Sequence, residues 1–313
     1  MTVDELNDVL DGDFVVGLAQ VTPLRGVVVS PVNSAGWDAE TSIFAFTSDL
    51  AAFRKLRRLE RNPQVAIVFH TREHGVAETD AYVLVQGRAS FSWDPDREDL
   101  APFYRRPGTA LGPEQLGGRL WDRWLRPFWW DRVVVRVRAD RILAFPDAAC
   151  IGAATVLAGA AEVEDPAPQS PPAKGTEPRV EVAGTVRGLR KLNYRLLGWV
   201  GADGYPVVVP VGIEAATTRG ITLSAPIGSV PLGGRRAGLT GHSFTAGTLG
   251  QRQTALTGWL ENDGGTVTYA PHTRLNYVIP PSRTFWRLVV GAVTRVGLHR
   301  ARRDGVPSTA LAR

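Results

Sequence analysis

Thiols are nearly missing from this chain. Cys150 is its one cysteine, so it closes no disulfide of its own and offers no thiolate-rich metal site. Lysine is almost as scarce: Lys55, Lys174 and Lys191 stand alone among 36 basic residues, the rest being arginine. No stretch approaches the roughly 20 uncharged apolar residues of a membrane-spanning helix. The opening MTVDELNDVLDGD is acidic and polar. It lacks the basic and apolar regions of a secretory leader, and the expectation is a cytoplasmic protein. A phosphate-binding P-loop, a GxSxG elbow, an HExxH helix and a Rossmann fingerprint are all absent, so hydrolase, kinase and classical dehydrogenase readings have no positive support.

What remains is arginine, glycine, valine and proline, with a net charge of +5. That excess is modest for 313 residues, and the preference for arginine over lysine matches a GC-rich coding sequence. Nucleic acid is therefore not an expected partner.

The first half reads as strands. FVVGLAQV (14–21) and RGVVVSPV (25–32) flank Thr22-Pro23-Leu24 as a hairpin, and SIFAF (42–46) follows. Thr47, Ser48 and Asp49 are good helix N-caps, and Leu50, Phe53, Leu56 and Leu59 recur near a helical period. Asn62-Pro63 ends that helix. QVAIVFH (64–70) and YVLVQGRASF (82–91) read as long strands, DPDREDLAPFY (94–104) as a short helix, and DRVVVRVRADRILAF (131–145) as a closing strand. Residues 158–180, AGAAEVEDPAPQSPPAKGTEPRV, combine proline, alanine and acid without an apolar period and read as a linker. This divides the chain into an N-terminal domain over 1–157 and a C-terminal one over 181–313.

After the linker the pattern restarts. YRLLGWVGADGYPVVVPVGI (194–213) repeats the first hairpin, ITLSAP (221–226) matches SIFAFTS, RRAGLTGH (235–242) matches QVAIVFH, and TALTGWLE (254–261) matches YVLVQGRA. An internal duplication accounts for this order. One part is not repeated: the basic helix FRKLRRLER gives way to IGSVPLGG (227–234), whose Gly and Pro oppose a helix.

In the order hairpin, strand, basic helix ending in Asn-Pro, strand, strand, the sequence resembles the flavin-binding split-barrel superfamily, the pyridoxamine 5′-phosphate oxidase-like proteins. The resemblance implies a mainly β fold of two split β-barrels in tandem, forming within one chain the pair that the family usually makes as a homodimer. It places Arg54 and Lys55 on the family's Arg-Lys pair for the FMN phosphate, and Leu59, Asn62 and Pro63 on its Leu and Asn-Pro. Phe53 stands where the family often has serine. Arg25, Ser30, Thr47, Ser48 and Gln86 join Arg54 and Lys55 as cofactor-binding candidates, with the second half as a wall against the ring. The implied function is an FMN-dependent oxidoreductase acting on a small molecule. Its alternatives are an F420-dependent reductase or a non-catalytic flavin- or haem-binding barrel. No catalytic side chain is assigned. A pseudo-dimeric monomer or a loose homodimer is expected, without nucleic acid or membrane as partner.

Three further features carry expectations. His70 and His242 occupy matching places after the fourth strand of each half; together they are candidates for metal or haem, with a structural or substrate-facing role preferred over a metal site. LWDRWLRPFWWDR (120–132) reads as an aromatic cap over a barrel end and over the ligand site. RTFWRLVVGAVTRVGLHRARR (283–303) reads as a basic amphipathic helix, of a kind that can touch membranes or partners, with packing of Phe285, Leu288, Val289, Ala292, Val293 and Val296 on the second barrel the preferred expectation.

Overall fold

The computed structural model describes every residue except 72–73, 106–116, 119, 160–163, 246–249 and 313. A capping box at Thr2 and Glu5 opens α1 (Val3–Gly12). The strands β1 (Val15–Val21), β2 (Val27–Asp38) and β3 (Ile43–Asp49) follow. A single 3₁₀ turn at Leu50–Ala52 leads into α2 (Phe53–Arg61), then β4 (Gln64–Phe69) and β5 (Tyr82–Ser90). Two helices, α3 (Arg97–Arg105) and α4 (Trp121–Trp130), precede β6 (Arg132–Phe145) and the short β7 (Thr155–Ala158).

These strands form one sheet in the order β3-β2-β1-β4-β5-β6-β7, and β3 also pairs with β6. That last pairing closes a six-stranded barrel. β2 makes closure possible by bending: residues 27–33 pair with β1, while residues beyond a bulge at Ser34/Gly36 pair with β3. The interior is filled by Val16, Leu18, Phe44, Phe46, Ile67, Val83, Val85 and Val135, all buried. α2 plugs the barrel with Phe53, Leu56 and Leu59 and faces its arginines outward.

The second half begins with α5 (Val182–Leu189). The strands β8 (Tyr194–Val200), β9 (Pro206–Pro210), β10 (Gly212–Thr217), β11 (Gly220–Ser224), β12 (Gly233–Phe244), β13 (Gln251–Asn262) and β14 (Val267–Ile279) follow. Its sheet runs β10-β11-β14-β13-β12-β8-β9. The two edges, β9 and β10, flank Val211 in the chain, so the sheet curls until its edges are the two limbs of one kinked strand. β8 therefore repeats β1, β9–β10 repeats β2, β11 repeats β3, β12 repeats β4 and β13 repeats β5. The strand order of the first half thus recurs in the second. β14, the counterpart of β6, was not legible in the sequence, because its alternation carries polar and apolar residues alike. Residues 227–234 form no helix.

The halves share one core. Ala19, Val27, Val29, Val68 and Tyr82 of the first pack with Leu189, Leu196, Leu197, Trp199, Val208 and Leu239 of the second. Contacts are exchanged as a two-fold requires: β2 meets β12, β4 meets β9, and β1 meets β8. Thr240 donates to the Val29 carbonyl at 2.6 Å, and Tyr82 to the Val208 carbonyl at 2.6 Å. Residues 164–180 form no regular element but lie along the second sheet. Gln169 bonds the Gly234 carbonyl, and the buried Arg235 donates to the Pro166 carbonyl at 3.0 Å. The proline-rich segment is a strap held by hydrogen bonds.

The C-terminal helix α6 (Arg283–Arg303) corrects an expectation. Its buried residues are Trp286, Val290, Gly291, Thr294, Leu298 and Ala301, and they pack on the first half, against the 50–52 turn and α4. The reason is close approach: Gly297 lies against Ala51, and Gly291 against the Trp124 indole, places where any side chain would collide. The face expected to be buried, Phe285 to Val296, is the exposed one.

Candidate functional site

β3 delivers Thr47, Ser48 and Asp49 to the rim of the first barrel. Of the three cap candidates only Asp49 caps, its carboxylate accepting the Ala52 N–H at 2.8 Å. Thr47 and Ser48 stay within the strand, buried. One turn on, the burial of Phe53 and Leu56 sets the azimuth of Lys55, whose Nζ lies 5.9 Å from the Phe46 ring centroid. Burial holds the Lys55 ammonium down at about 8; Asp49 opposes the shift, and Arg132 and Arg58 add to it.

Arg132, the first residue of β6, is 8 % exposed. It donates to Thr47 Oγ1 at 2.8 Å and stands 4.0 Å from the Asp49 carboxylate. Its guanidinium lies 4.7 Å from the Phe128 ring of α4. Tyr277, on β14 of the second half and 38 % exposed, feels the charges of the same Asp49 and Arg132. Burial pushes its phenol above the ordinary tyrosine range, Asp49 adding and Arg132 opposing. Tyr104 of α3 is raised by burial too, and donates to the Trp129 carbonyl at 2.7 Å. Lys55 and Arg132 thus stand by the carboxylate of Asp49, with Arg58 adding its charge from the outer face of α2. Such a donor set fits an anion of phosphate type, whose charge would return the ammonium towards its ordinary value.

The sequence candidates divide. Thr47, through Arg132, and Lys55, through Asp49, belong to this cluster, whereas Ser48 is buried on the other face of β3 with its hydroxyl on the Asp49 carbonyl. Arg54 stands exposed on α2; burial, then the charge of Arg54, hold the partly covered Arg58 guanidinium below its ordinary value. Arg25 is exposed in the β1–β2 turn with φ of 56°, bonded through its backbone. Ser30 is half-buried in β2 opposite Leu18. Gln86 is buried and engaged within the protein at both ends: its amide donates to the Pro206 carbonyl at 2.7 Å, and its oxygen accepts from Arg141 at 2.5 Å. Arg141 in turn pairs with Asp203 at 2.6 Å, so this polar seam ties β5 and β6 to the β8–β9 turn. Sequence reasoning missed Arg132 and Tyr277. Arg132 looks like the outer residue of an alternating strand, and only the fold brings Tyr277 across from the other half.

His70 and His242 meet at the seam between halves, Nε2 to Nε2 at 2.9 Å, both buried. His70 Nδ1 faces the Val68 carbonyl at 3.1 Å and must donate to it, so His70 Nε2 accepts and His242 Nε2 donates. Burial, then the neighbouring His70 and His74, push His242 well below the ordinary imidazole value. Tyr194 lies against both rings. Among the described residues no group of three or more potential ligands is arranged to hold a metal.

No protein-family model and no curated protein matches the sequence. Solved structures do. A pyridoxamine 5′-phosphate oxidase-related, FMN-binding protein from Nostoc punctiforme is 11 % identical, with TM-score 0.31, over 64 % of this chain and 87 % of that one. A FAD-binding protein from Mesorhizobium loti is 18 % identical, with TM-score 0.30, over 46 % of this chain and 94 % of its own. An F420 reductase is 22 % identical, with TM-score 0.31, over 44 % and 94 %. The strand order described above, closed by β3 and β6, decides the architecture. The first half is a closed six-stranded barrel, the second a curled half-barrel of the same strand order.

Clefts among the described residues lie beside both halves. One of about 680 Å³ borders α4 at Arg123, Arg126, Trp129 and Trp130, the helix that also carries Phe128 to Arg132. The other, about 230 Å³, lies at the mouth of the second barrel between α5 and the strands β13 and β14, lined by Lys191, Arg252 and Arg274. The aromatic segment is indeed a helical cap. It packs with α6 through Leu125, Trp129, Trp286 and Val290, beside β3 and β6.

Proposed function

We propose that the chain binds a flavin-type cofactor through its phosphate, FMN in the first instance, and serves as an oxidoreductase for a small molecule. The supporting observation is the placing of Lys55 and Arg132 beside one carboxylate, Asp49, with Arg132 held on Thr47. Lys55 and Arg132 would hold the phosphate, with Thr47 as a hydroxyl partner that Arg132 already orients. The second barrel has no counterpart of α2, which supports one such site per chain. Bound there, a flavin supplies the electron transfer; the chain's own residues anchor the phosphate, fix the orientation and exclude water.

The visible spectrum of the purified chain, titrated with FMN, F420 and haemin, tests this. Saturable FMN binding that Lys55→Ala or Arg132→Ala weakens about tenfold is the expected result. Binding that ignores both substitutions overturns the site. Preference for F420 or haemin replaces the cofactor, and binding without turnover of any reductant leaves a flavin-binding module.

A further inference from the structure

α6 carries two apolar stripes, and only one is used. Trp286, Val290, Gly291, Thr294, Leu298 and Ala301 are buried against the first barrel and α4. The second stripe follows the spacing i, i+3, i+4, i+7, i+8, i+11: Phe285, Leu288, Val289, Ala292, Val293 and Val296. Phe285 is 62 % exposed, Leu288 46 %, Val293 47 % and Val296 52 %. Side chains of this size, aligned for about 17 Å along one helix face, form a patch that water alone does not favour. One and two turns further on, the same stripe continues as His299, Arg300 and Arg303, all exposed, while Arg283 stands exposed at the other end. No aspartate or glutamate occurs between Arg283 and Arg303.

From this charge pattern we infer that α6 is a membrane-surface helix, and that the occupant of its exposed face is an anionic lipid bilayer. The apolar stripe would enter the boundary between headgroups and acyl chains, with Arg300 and Arg303 among the lipid phosphates. A second copy of the chain is a poorer occupant. A two-fold pairing of α6 with itself sets arginine largely against arginine, the helix carrying no acidic residue before its C-cap Asp304. The helix lies on the surface rather than through it, since no described helix is long and apolar enough to cross. This inference replaces the expectation that the chain has no membrane partner, and it does not depend on the cofactor.

Co-sedimentation of the full chain with vesicles tests it. Vesicles of phosphatidylglycerol and phosphatidylcholine in equal parts are expected to carry the protein down, and phosphatidylcholine alone to leave it in solution. Leu288→Glu with Val293→Glu should weaken partitioning on the order of tenfold or more. Arg300→Ala with Arg303→Ala should weaken it and flatten its salt dependence, a readout that needs no change in the apolar stripe. Failure to bind anionic vesicles overturns the inference. So does a dimer in solution that Val293→Glu dissociates, because the face then belongs to a second copy.

Discussion

A lysine whose ammonium is held at about 8 is a liability to folding and an asset to binding. Its folded value lies below the 10.5 of the unfolded chain, so the unfolded state binds more protons between the two. The penalty on folding is therefore complete below about pH 8 and fades as pH rises towards 10.5. Lys55→Met is expected to stabilise the ligand-free protein at pH 7 by roughly 1–2 kcal/mol, a discounted figure because the side chain keeps some solvent contact. Denaturant unfolding measures it, and a destabilised variant would mean that Lys55 is balanced by its neighbours. Affinity for a phosphate-bearing ligand runs the other way. It should fall about tenfold as pH rises through 8 to 10, where the amine becomes neutral, and that dependence should vanish in Lys55→Met. Titrations of FMN at two pH values, in the parent and in Lys55→Met, isolate the contribution of the lysine.

At the scale of elements, the sequence displayed what periodicity displays. The hairpins, α2 with its Asn62-Pro63 stop, the long β4 and β5 and the absence of a second basic helix were all legible, because one face of each element is apolar and its ends carry turn chemistry. α6 shows the limit of that reading. Its more regular apolar stripe is the one left outside, because glycines at 291 and 297 let the other face approach Trp124 and Ala51. Small residues make contact possible without announcing it by hydropathy. Gly291→Leu is thus expected to cost roughly 1–3 kcal/mol through overpacking against Trp124, outweighing the gain in helix propensity of about 1 kcal/mol. Ala292→Leu, one residue on and exposed, should stay within about 0.5 kcal/mol of the parent. Thermal unfolding of the two variants decides which stripe is inside; equal effects would refute the packing described.

At the scale of the whole molecule, the site candidates were legible only where they lie on the resemblance, as Lys55 and Thr47 do. Arg132 and Tyr277 depend on closure of one barrel and on the approach of the other, which no local pattern encodes. The two halves meet as a dimer interface drawn into one chain. At Gly238, a Cβ would overlap the Val27 backbone carbonyl of the first barrel, where no side-chain rotation gives relief. Gly238→Ala is expected to loosen the seam at a cost of about 1–3 kcal/mol, and to do so in one unfolding transition because the core is shared. Two resolved transitions would show instead that each barrel folds alone.

The seam also fixes how the molecule responds to acid. Neutral His242 donates to His70, and its folded value lies well below the 6.5 of an unfolded histidine. Below 6.5 the unfolded chain takes up a proton that the folded seam refuses, so stability falls as pH drops. Above that value the contribution is complete. His242→Gln keeps an N–H donor for His70 Nε2 but cannot titrate. The parent should therefore lose about 1 kcal/mol or more between pH 7 and 5 that the variant retains, read as a shallower fall of the melting temperature. If both fall in parallel, the acid sensitivity lies elsewhere than at the junction of the two barrels, and the histidine pair holds the halves together only as a neutral contact.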